Sequence, residues 1–203
     1  MYIPKHFKID DEDIIYEFME KYSFATLFSQ HNGEPYATHL PLIVNKDERS
    51  LNGHFARPNE QWKDVENQQV LVVFHGPHCY ISPSWYETTK AVPTWNYVSI
   101  HVYGKMEIIE DSKIIFNSLN DMVIKYESPD SPYNLKEVEP SFIEGMSKGI
   151  VPFKIKITKI EAKAKLSQNH PEERQELIIK HLESTSNQNN LQVASLMREN
   201  IQK

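Results

Sequence analysis

The chain has 203 residues, which is enough for one domain of ordinary size with a real core. Its hydrophobic fraction of 39% and charged fraction of 25% are typical of a folded soluble protein and exclude a disordered chain. The formal net charge is −6, so bulk charge gives no support to nucleic-acid binding. A single cysteine, the lack of a signal-peptide pattern and the lack of a long apolar run indicate a cytoplasmic protein without membrane spans.

The first half of the chain predicts one helix followed by a group of short strands. Apolar residues recur every four positions at Ile14, Phe18 and Tyr22, which predicts an amphipathic helix with Asp10 as its N-cap. Asn32-Gly33 then lies between two apolar runs, and this dipeptide is a strong signal for a β-hairpin. A third strand (SLNGHFA), a short helix (NEQWKDVEN) and a buried strand (VLVVFH) are predicted next.

The second half predicts two long strands and several helices. Apolar residues alternate strictly from Val98 to Ile108, which predicts a strand with one buried face. Helical spacing follows over residues 111–127, and then a Pro-rich loop. The strand after it changes parity between Ile157 and Ile160, which indicates a bulge or bend, and further helices are predicted after Pro171 and Asn190. The early strands are too close together for helical crossovers, so we predict an α+β protein with an antiparallel, barrel-like core.

Two strand-end segments carry polar groups that could bind a ligand. Pro41 cannot donate a ladder hydrogen bond, so Thr38 and His39 beside it could present backbone groups to a planar ring. The alternative is that both are ordinary strand residues facing water. Arg57 and Asn59 lie between a strand and a helix, where a guanidinium and free backbone amides would form a phosphate site. The alternative there is a surface arginine and a simple helix cap.

A third segment, residues 75–86, is rich in aromatic and histidine rings and is followed by a further aromatic group at residues 93–97. Rings in a segment rich in Pro and Gly predict a pocket lid or an intersubunit surface. His75, His78 and Cys79 could ligate a metal, but no second Cys/His pair completes a tetrahedral site, so we expect no metal.

Together these segments resemble the PaiB family, a branch of the FMN-binding split-barrel superfamily. The resemblance covers most of the chain in the same order. The matching stretches are MYIPKHFK, ATHLP, GHFARPNEQW, FHGPHCYISPSWY, VPTWNYVSIHVYGK and KAKLSQNHPEER.

The resemblance implies a six-stranded antiparallel split β-barrel with peripheral helices, a homodimer, and FMN bound between the subunits. It implies a split-barrel domain over residues 1–170 and a helical C-terminal extension, residues 171–203, packed on it. The residues implied to contact FMN are Thr38, His39, Leu40, His54, Ala56, Arg57, Asn59, Trp95, Asn96, Lys165, Gln168 and Asn169.

Three functions remain open from the sequence. The resemblance implies an FMN-binding negative regulator of protease production and sporulation genes. A flavin-dependent oxidoreductase of unknown substrate is the first alternative, because the cofactor itself would supply the chemistry. Direct binding to DNA as a repressor is the second alternative. It is the least favoured of the three functions because glutamates offset the basic residues of the C-terminal helices.

Overall fold

The computed structural model describes residues 1–202 as an α+β fold. The helices are α1 (Glu12–Lys21), α2 (Ser112–Tyr126), α3 (Pro140–Ser147), α4 (Glu172–Glu183) and α5 (Gln188–Ile201). The strands are β1 (Phe24–His31), β2 (Glu34–Pro41), β3 (Ile43–Asn45), β4 (Ser50–Ala56), β5 (Gln69–Ile81), β6 (Thr94–Ile108) and β7 (Ile150–Lys165). Short 3₁₀ helices lie at Lys5–Phe7, Glu60–Lys63, Pro83–Trp85 and Leu135–Glu137.

The chain forms two compact units. Unit 1 consists of Met1–Phe18, His75–Ile100 and the chain from Glu161 onward, and unit 2 consists of Met19–Phe74 and His101–Ile160. Unit 2 contains part of each of the seven strands, whose order in the sheet is β2-β1-β5-β6-β7-β4-β3. β1 pairs antiparallel with β2 and β5, and β4 pairs antiparallel with β3 and β7.

The predicted count of six strands is wrong, because the segment that reads as one strand from Glu34 to Val44 is divided into β2 and β3. Pro41 has no N–H group to continue the ladder, so β2 ends there. Leu42 is fully buried, and its backbone N–H donates to the Ser23 carbonyl at 3.0 Å. The three residues that follow then pair with β4 instead of β1.

Two glycines of unit 2 are required by backbone geometry. Asn32 and Gly33 have φ angles of 53° and 81°, which fit the tight turn predicted between β1 and β2. Gly104 lies where β6 approaches β7, and a Cβ atom there would be 2.4 Å from the Ile155 Cγ2 atom and 2.6 Å from the Lys156 carbonyl oxygen. The single gap in the apolar alternation of β6 is therefore a place where two strands meet closely.

The core of unit 1 is formed by α4, α5 and strand segments. Ile178, Ile179 and Leu182 of α4 are fully buried, as are Val193 and Met197 of α5. They pack in one cluster with Cys79, Ile81, Val98 and Leu166. The helices predicted after Pro171 and Asn190 are thus present, although α5 begins earlier, after Asn187, whose side chain accepts hydrogen bonds from the first helical amides.

Other predicted elements differ from the structure in detail. The N-cap of α1 is Asp11 and not Asp10, because the Asp11 carboxylate accepts from the backbone amides of Asp13 and Ile14. The predicted aromatic loop begins too early, since residues 75–81 continue β5 as a strand. Helix α3 has no counterpart among the predicted elements. No helix within residues 1–202 is long and apolar enough to cross a membrane.

Candidate functional site

Strand β2 is at one edge of the sheet in unit 2 and carries the first group of predicted cofactor residues. The order of strands gives β2 a single hydrogen-bonded neighbour, β1, in which Thr38 is opposite Leu27 and His39 opposite Thr26. The His39 side chain is exposed and Leu40 is buried. An edge strand presents backbone donors and acceptors on its open side, which is the type of contact expected here for a planar heteroaromatic ring.

A polar network fixes Thr38 against the segment that follows β4. The Asn59 Nδ2 atom donates to the Thr38 hydroxyl at 2.8 Å, and that hydroxyl donates to the Gln61 side-chain oxygen. Gln61 is fully buried and donates from Nε2 to the Ser29 hydroxyl at 2.8 Å. The Asn59 side chain also accepts from the Gln61 backbone amide at 3.0 Å, so it caps the 3₁₀ helix as predicted.

Arg57 is placed just after β4 with its guanidinium tied to backbone carbonyls. The Nε atom donates to the Lys148 carbonyl at 3.2 Å, and Nη2 donates to the Ile150 carbonyl at 2.6 Å. The guanidinium also lies 5.5 Å from the centre of the Trp62 ring, whose indole N–H donates to the Arg57 carbonyl. The side chain is exposed, so its remaining N–H groups are accessible to an anion.

His54 and Ala56 lie on β4 opposite the start of β7, with His54 paired to Pro152 and Ala56 paired to Ile150. His54 is half-buried, and this burial lowers its pKa below the usual value of 6.5. The imidazole is therefore held in its neutral form at physiological pH. Ala56 is exposed at the end of the strand.

The other predicted cofactor residues lie in unit 1. The Lys165 ammonium donates to the Thr94 hydroxyl and, at 2.7 Å, to the Trp95 carbonyl. Burial, and to a smaller extent the charge of Lys163, lowers the pKa of Lys165. The Trp95 ring is 52% exposed and lies 5.9 Å from the His78 ring. Trp95 therefore presents an exposed aromatic surface. Lys165 is a partly desolvated cation that lies beside the Trp95 backbone.

Asn96 and Gln168 have most of their polar atoms engaged within unit 1. Asn96 is fully buried, and its amide and the Ser167 hydroxyl are joined by contacts of 3.0 and 3.1 Å. The Gln168 side chain accepts from the Leu166 amide at 2.7 Å and donates to the Ala164 carbonyl at 2.6 Å. These contacts hold the turn after β7, where Ser167 has a positive φ of 65°.

Asn169 is exposed and lines a cleft of about 390 Å³ in unit 1. Four of the lining residues carry basic side chains, namely Lys90, Lys165, His170 and Arg174. None of the described residues that line it is an aspartate or a glutamate. The sequence motifs indicated Lys165 and Asn169 as site residues. Arg174 ends the same stretch, KAKLSQNHPEER, without a role assigned to it, and Lys90 lies outside the matching stretches.

The ring-rich segment of residues 75–86 does not form a metal centre in the part of the chain that the structure describes. No group of three or more His, Cys, Asp and Glu side chains within residues 1–202 is arranged to hold a metal ion. Cys79 is buried in the core of unit 1, and desolvation raises the pKa of its thiol to about 12. Cys79 is therefore a packing residue, whereas Tyr80 on the same strand is 46% exposed.

Gln61 is the residue of unit 2 that sequence reasoning missed. It was included in the GHFARPNEQW stretch only as part of a helix, yet it is the buried centre of the polar network. A glutamine is usually exposed, so its burial could not be inferred from residue type. The only local signal is its position two residues after the capping Asn59.

Comparison with known proteins gives matches in both sequence and fold. Residues 1–159 match the family described as "Putative FMN-binding domain". The "Protease synthase and sporulation protein PAI 2" of Bacillus subtilis is 43% identical over 207 residues, covering 100% of this chain and 99% of that protein. The uncharacterized protein YKL070W of Saccharomyces cerevisiae is 35% identical over 139 residues, covering 56% of this chain and 82% of that protein.

Two solved structures resemble the fold at low sequence identity. The flavocytochrome Anf3 of Azotobacter vinelandii has a TM-score of 0.61 at 14% identity, covering 76% of this chain and 67% of that one. The conserved hypothetical protein Rv2991 of Mycobacterium tuberculosis has a TM-score of 0.60 at 13% identity, covering 84% and 94%. At such identities the likeness concerns the fold alone.

The antiparallel sheet with peripheral helices places the protein in the class of split-barrel α+β folds. Residues 1–159 match the FMN-binding family, and the Bacillus subtilis relative is 43% identical over the full length of the chain. The chain therefore belongs to the PaiB family.

Proposed function

We propose that the protein binds FMN and acts as a PaiB-type negative regulator of protease production and sporulation genes. The observation that carries the proposal is the match of residues 1–159 to a family described by FMN binding. The regulatory part follows the name of the Bacillus subtilis relative, which is similar to this chain over its whole length.

The geometry of unit 2 supports specific roles toward the flavin. Thr38, His39 and Leu40 on the edge strand present backbone groups to the isoalloxazine ring. Arg57 binds the phosphate through the N–H groups that the Lys148 and Ile150 carbonyls leave available.

The remaining assignments in unit 2 concern residues near that phosphate. His54, Ala56 and Asn59 surround the FMN phosphate. The Asn59 side-chain amide also holds Thr38 in position by donating a hydrogen bond to its hydroxyl. The predicted contacts of Trp95, Asn96, Lys165, Gln168 and Asn169 with FMN rest on the family resemblance.

We also propose that the protein is a homodimer. Large apolar side chains are exposed in unit 2, where Phe24 is 66% and Phe28 38% exposed, and in unit 1, where Trp95 is 52% exposed. Phe24 and Phe28 are four residues apart on β1 and so share one face of that strand, and contiguous exposed apolar surface is often covered by a partner. Sedimentation equilibrium at micromolar concentration is expected to give twice the mass of one chain, and a single-chain mass would contradict the dimer.

FMN binding is tested by titrating the purified protein with FMN and following flavin absorbance and fluorescence. We expect saturable quenching with one FMN per chain. Unchanged fluorescence at protein concentrations well above micromolar would refute the proposal. Adding NADH or NADPH without oxygen tests the oxidoreductase alternative, because reduction would bleach the flavin absorbance.

Direct DNA binding is not favoured by the charges of α4 and α5. Arg174 is paired with Glu87, and Arg198 is paired with Glu183 and Glu176. These pairs engage cations that would otherwise contact phosphates. We expect any binding of the isolated protein to promoter DNA to be weak and to fall steeply with salt, whereas a tight sequence-specific shift at physiological salt would favour the repressor alternative.

A further inference from the structure

A second cleft, the α2 cleft, lies in unit 2 between α2 and the sheet surface formed by β3, β4 and β7. Its volume is about 300 Å³, at the lower end of the range for sites that bind small molecules. Asn45, Asn52 and Lys154 line it from the strands, and the last two are directly opposite each other in the β4–β7 ladder. Among residues 1–202, none of those assigned above to FMN lines this cleft. The α2 cleft is therefore separate from the proposed flavin contacts.

The helix face that lines the α2 cleft is mostly polar, although a helix that lies on a sheet usually turns an apolar face to it. Four α2 residues with the i, i+3, i+4, i+7 spacing of a single helix face line the cleft, namely Ile114, Asn117, Ser118 and Asp121. No residue of α2 is buried. This face therefore contributes little to packing and leaves polar groups available to a ligand.

The polar groups on the two sides of the α2 cleft do not bond to one another. Within residues 1–202, the side chains of Asn52, Asn117, Ser118 and Asp121 make no hydrogen bond or ion pair. Asn52 and Ser118 are half-buried, and Asn117 and Asp121 are exposed. A ligand in the cleft can therefore reach each of these groups.

The charges of the α2 cleft favour a cationic ligand. The Lys154 ammonium donates to the Glu48 carboxylate, and this hydrogen bond and the charge of Lys154 lower the pKa of Glu48. This pair is close to neutral, so Asp121 remains as the unpaired charge among the described lining residues. Its carboxylate attracts an ammonium group and repels a phosphate such as that of FMN.

The other groups of the α2 cleft match a hydroxylated ligand with an apolar surface. Asparagine amides and a serine hydroxyl can both donate and accept hydrogen bonds, as alcohol groups can. Ile109, Ile114 and Pro152 add apolar surface to the lining.

We propose that the α2 cleft binds a small hydroxylated amine, such as an amino sugar, as a ligand distinct from FMN. The ligand ammonium contacts the Asp121 carboxylate. The Asn52 amide and the Ser118 hydroxyl bond to the ligand hydroxyls, and Ile114 and Pro152 contact its C–H surface. This site goes beyond FMN binding and does not require it.

The test is a titration of the isotope-labelled full-length protein with glucosamine, followed by NMR, in the absence and in the presence of excess FMN. The side-chain amides of Asn45, Asn52 and Asn117 give signals of their own, so their shifts both locate and measure binding. Glucose, which has the hydroxyls without an ammonium, is titrated separately. Cyclohexylamine, which has the ammonium without hydroxyls, is the other comparison.

The variants are Asp121→Asn and Ser118→Ala. Asp130→Asn is the matched control, because Asp130 is an exposed aspartate of the same segment between β6 and β7 and does not line the α2 cleft. Circular dichroism checks that each variant is folded.

We expect one glucosamine per chain with or without FMN, and weaker binding as the salt concentration rises. Asp121→Asn should weaken glucosamine by about three- to tenfold, because the carboxylate is exposed and screened, and should leave glucose unchanged. Ser118→Ala should weaken both sugars by about two- to fivefold. Asp130→Asn should bind glucosamine as the wild type does, and glucose and cyclohexylamine should both bind more weakly than glucosamine.

Three results would overturn the inference. The first is the absence of saturable shifts in the three asparagine amide signals at millimolar glucosamine. The second is equal binding of glucosamine by the wild type and by folded Asp121→Asn. The third is displacement of glucosamine by FMN, which would make the α2 cleft part of the flavin site. Binding of glucosamine by a protein that fails to bind FMN would support the inference and refute the proposed flavin function instead.

Discussion

Replacing Arg57 with alanine tests the phosphate contact on which the flavin site of unit 2 depends. If the guanidinium binds the FMN phosphate, the variant loses charge-assisted hydrogen bonds of about 1.5–3 kcal/mol, a ten- to hundredfold loss of FMN affinity. The structure favours the lower end of that range. Nε and Nη2 already donate to the Lys148 and Ile150 carbonyls, so only the other N–H groups can contact a phosphate.

The same contacts predict a separate effect on stability. The Arg57 side chain is exposed and lies over Trp62, so its removal should lower the free energy of unfolding by about 1–2 kcal/mol. Urea denaturation without flavin measures this loss in the free energy of unfolding separately from any effect on FMN binding. Arg57→Lys should recover only part of the FMN affinity, because a single ammonium cannot reproduce the planar fork.

The assay is quenching of flavin fluorescence with FMN and, separately, with riboflavin, which has no phosphate. Arg57→Ala should weaken FMN and leave riboflavin nearly unchanged. Lys63→Ala is the charge-matched control, since Lys63 is an exposed cation that is paired with Glu60 in the neighbouring 3₁₀ helix. Equal weakening of FMN and riboflavin by Arg57→Ala would refute the reasoning and make Arg57 a residue that orders the backbone before β7.

Three further predictions concern buried groups. Gln61→Leu should lower the free energy of unfolding by about 2–4 kcal/mol in urea denaturation, because the Ser29 and Thr38 hydroxyls lose their partner, and a change below about 0.5 kcal/mol would contradict the network. Burial raises the pKa of Cys79 to about 12, so the folded protein should not react with a thiol reagent at pH 8 until denaturant is added. Burial lowers the pKa of His54 from its usual value of 6.5, so just below pH 6.5 the unfolded chain binds more protons than the folded protein does. The free energy of unfolding should therefore fall as the pH drops below 6.5. His54→Gln should make this dependence of the free energy of unfolding on pH less steep.

The strands could be predicted where apolar residues alternate along the sequence. In β6, Val98, Ile100, Val102 and Met106 are all buried, as the alternation requires. The segment around Cys79 has the same period, because exposed Tyr80 separates buried Cys79 from buried Ile81. The sequence of this segment instead indicated a loop, because it contains many aromatic and histidine rings together with Gly76 and Pro77. The alternation was the better guide, since Pro77 is accommodated within β5.

The position of Arg57 at a strand end could be predicted, but its hydrogen-bond partners could not. The Lys148 and Ile150 carbonyls are 91 and 93 residues further along the chain. Ala56 pairs with Ile150 in the ladder between β4 and β7, and this pairing brings those carbonyls to Arg57. Local sequence determines that a guanidinium follows the strand, whereas sheet register determines how many of its donors remain for a ligand. The strength of the proposed phosphate contact is therefore a property of the β4–β7 register, and a substitution that shifts this register should alter FMN affinity even with Arg57 intact.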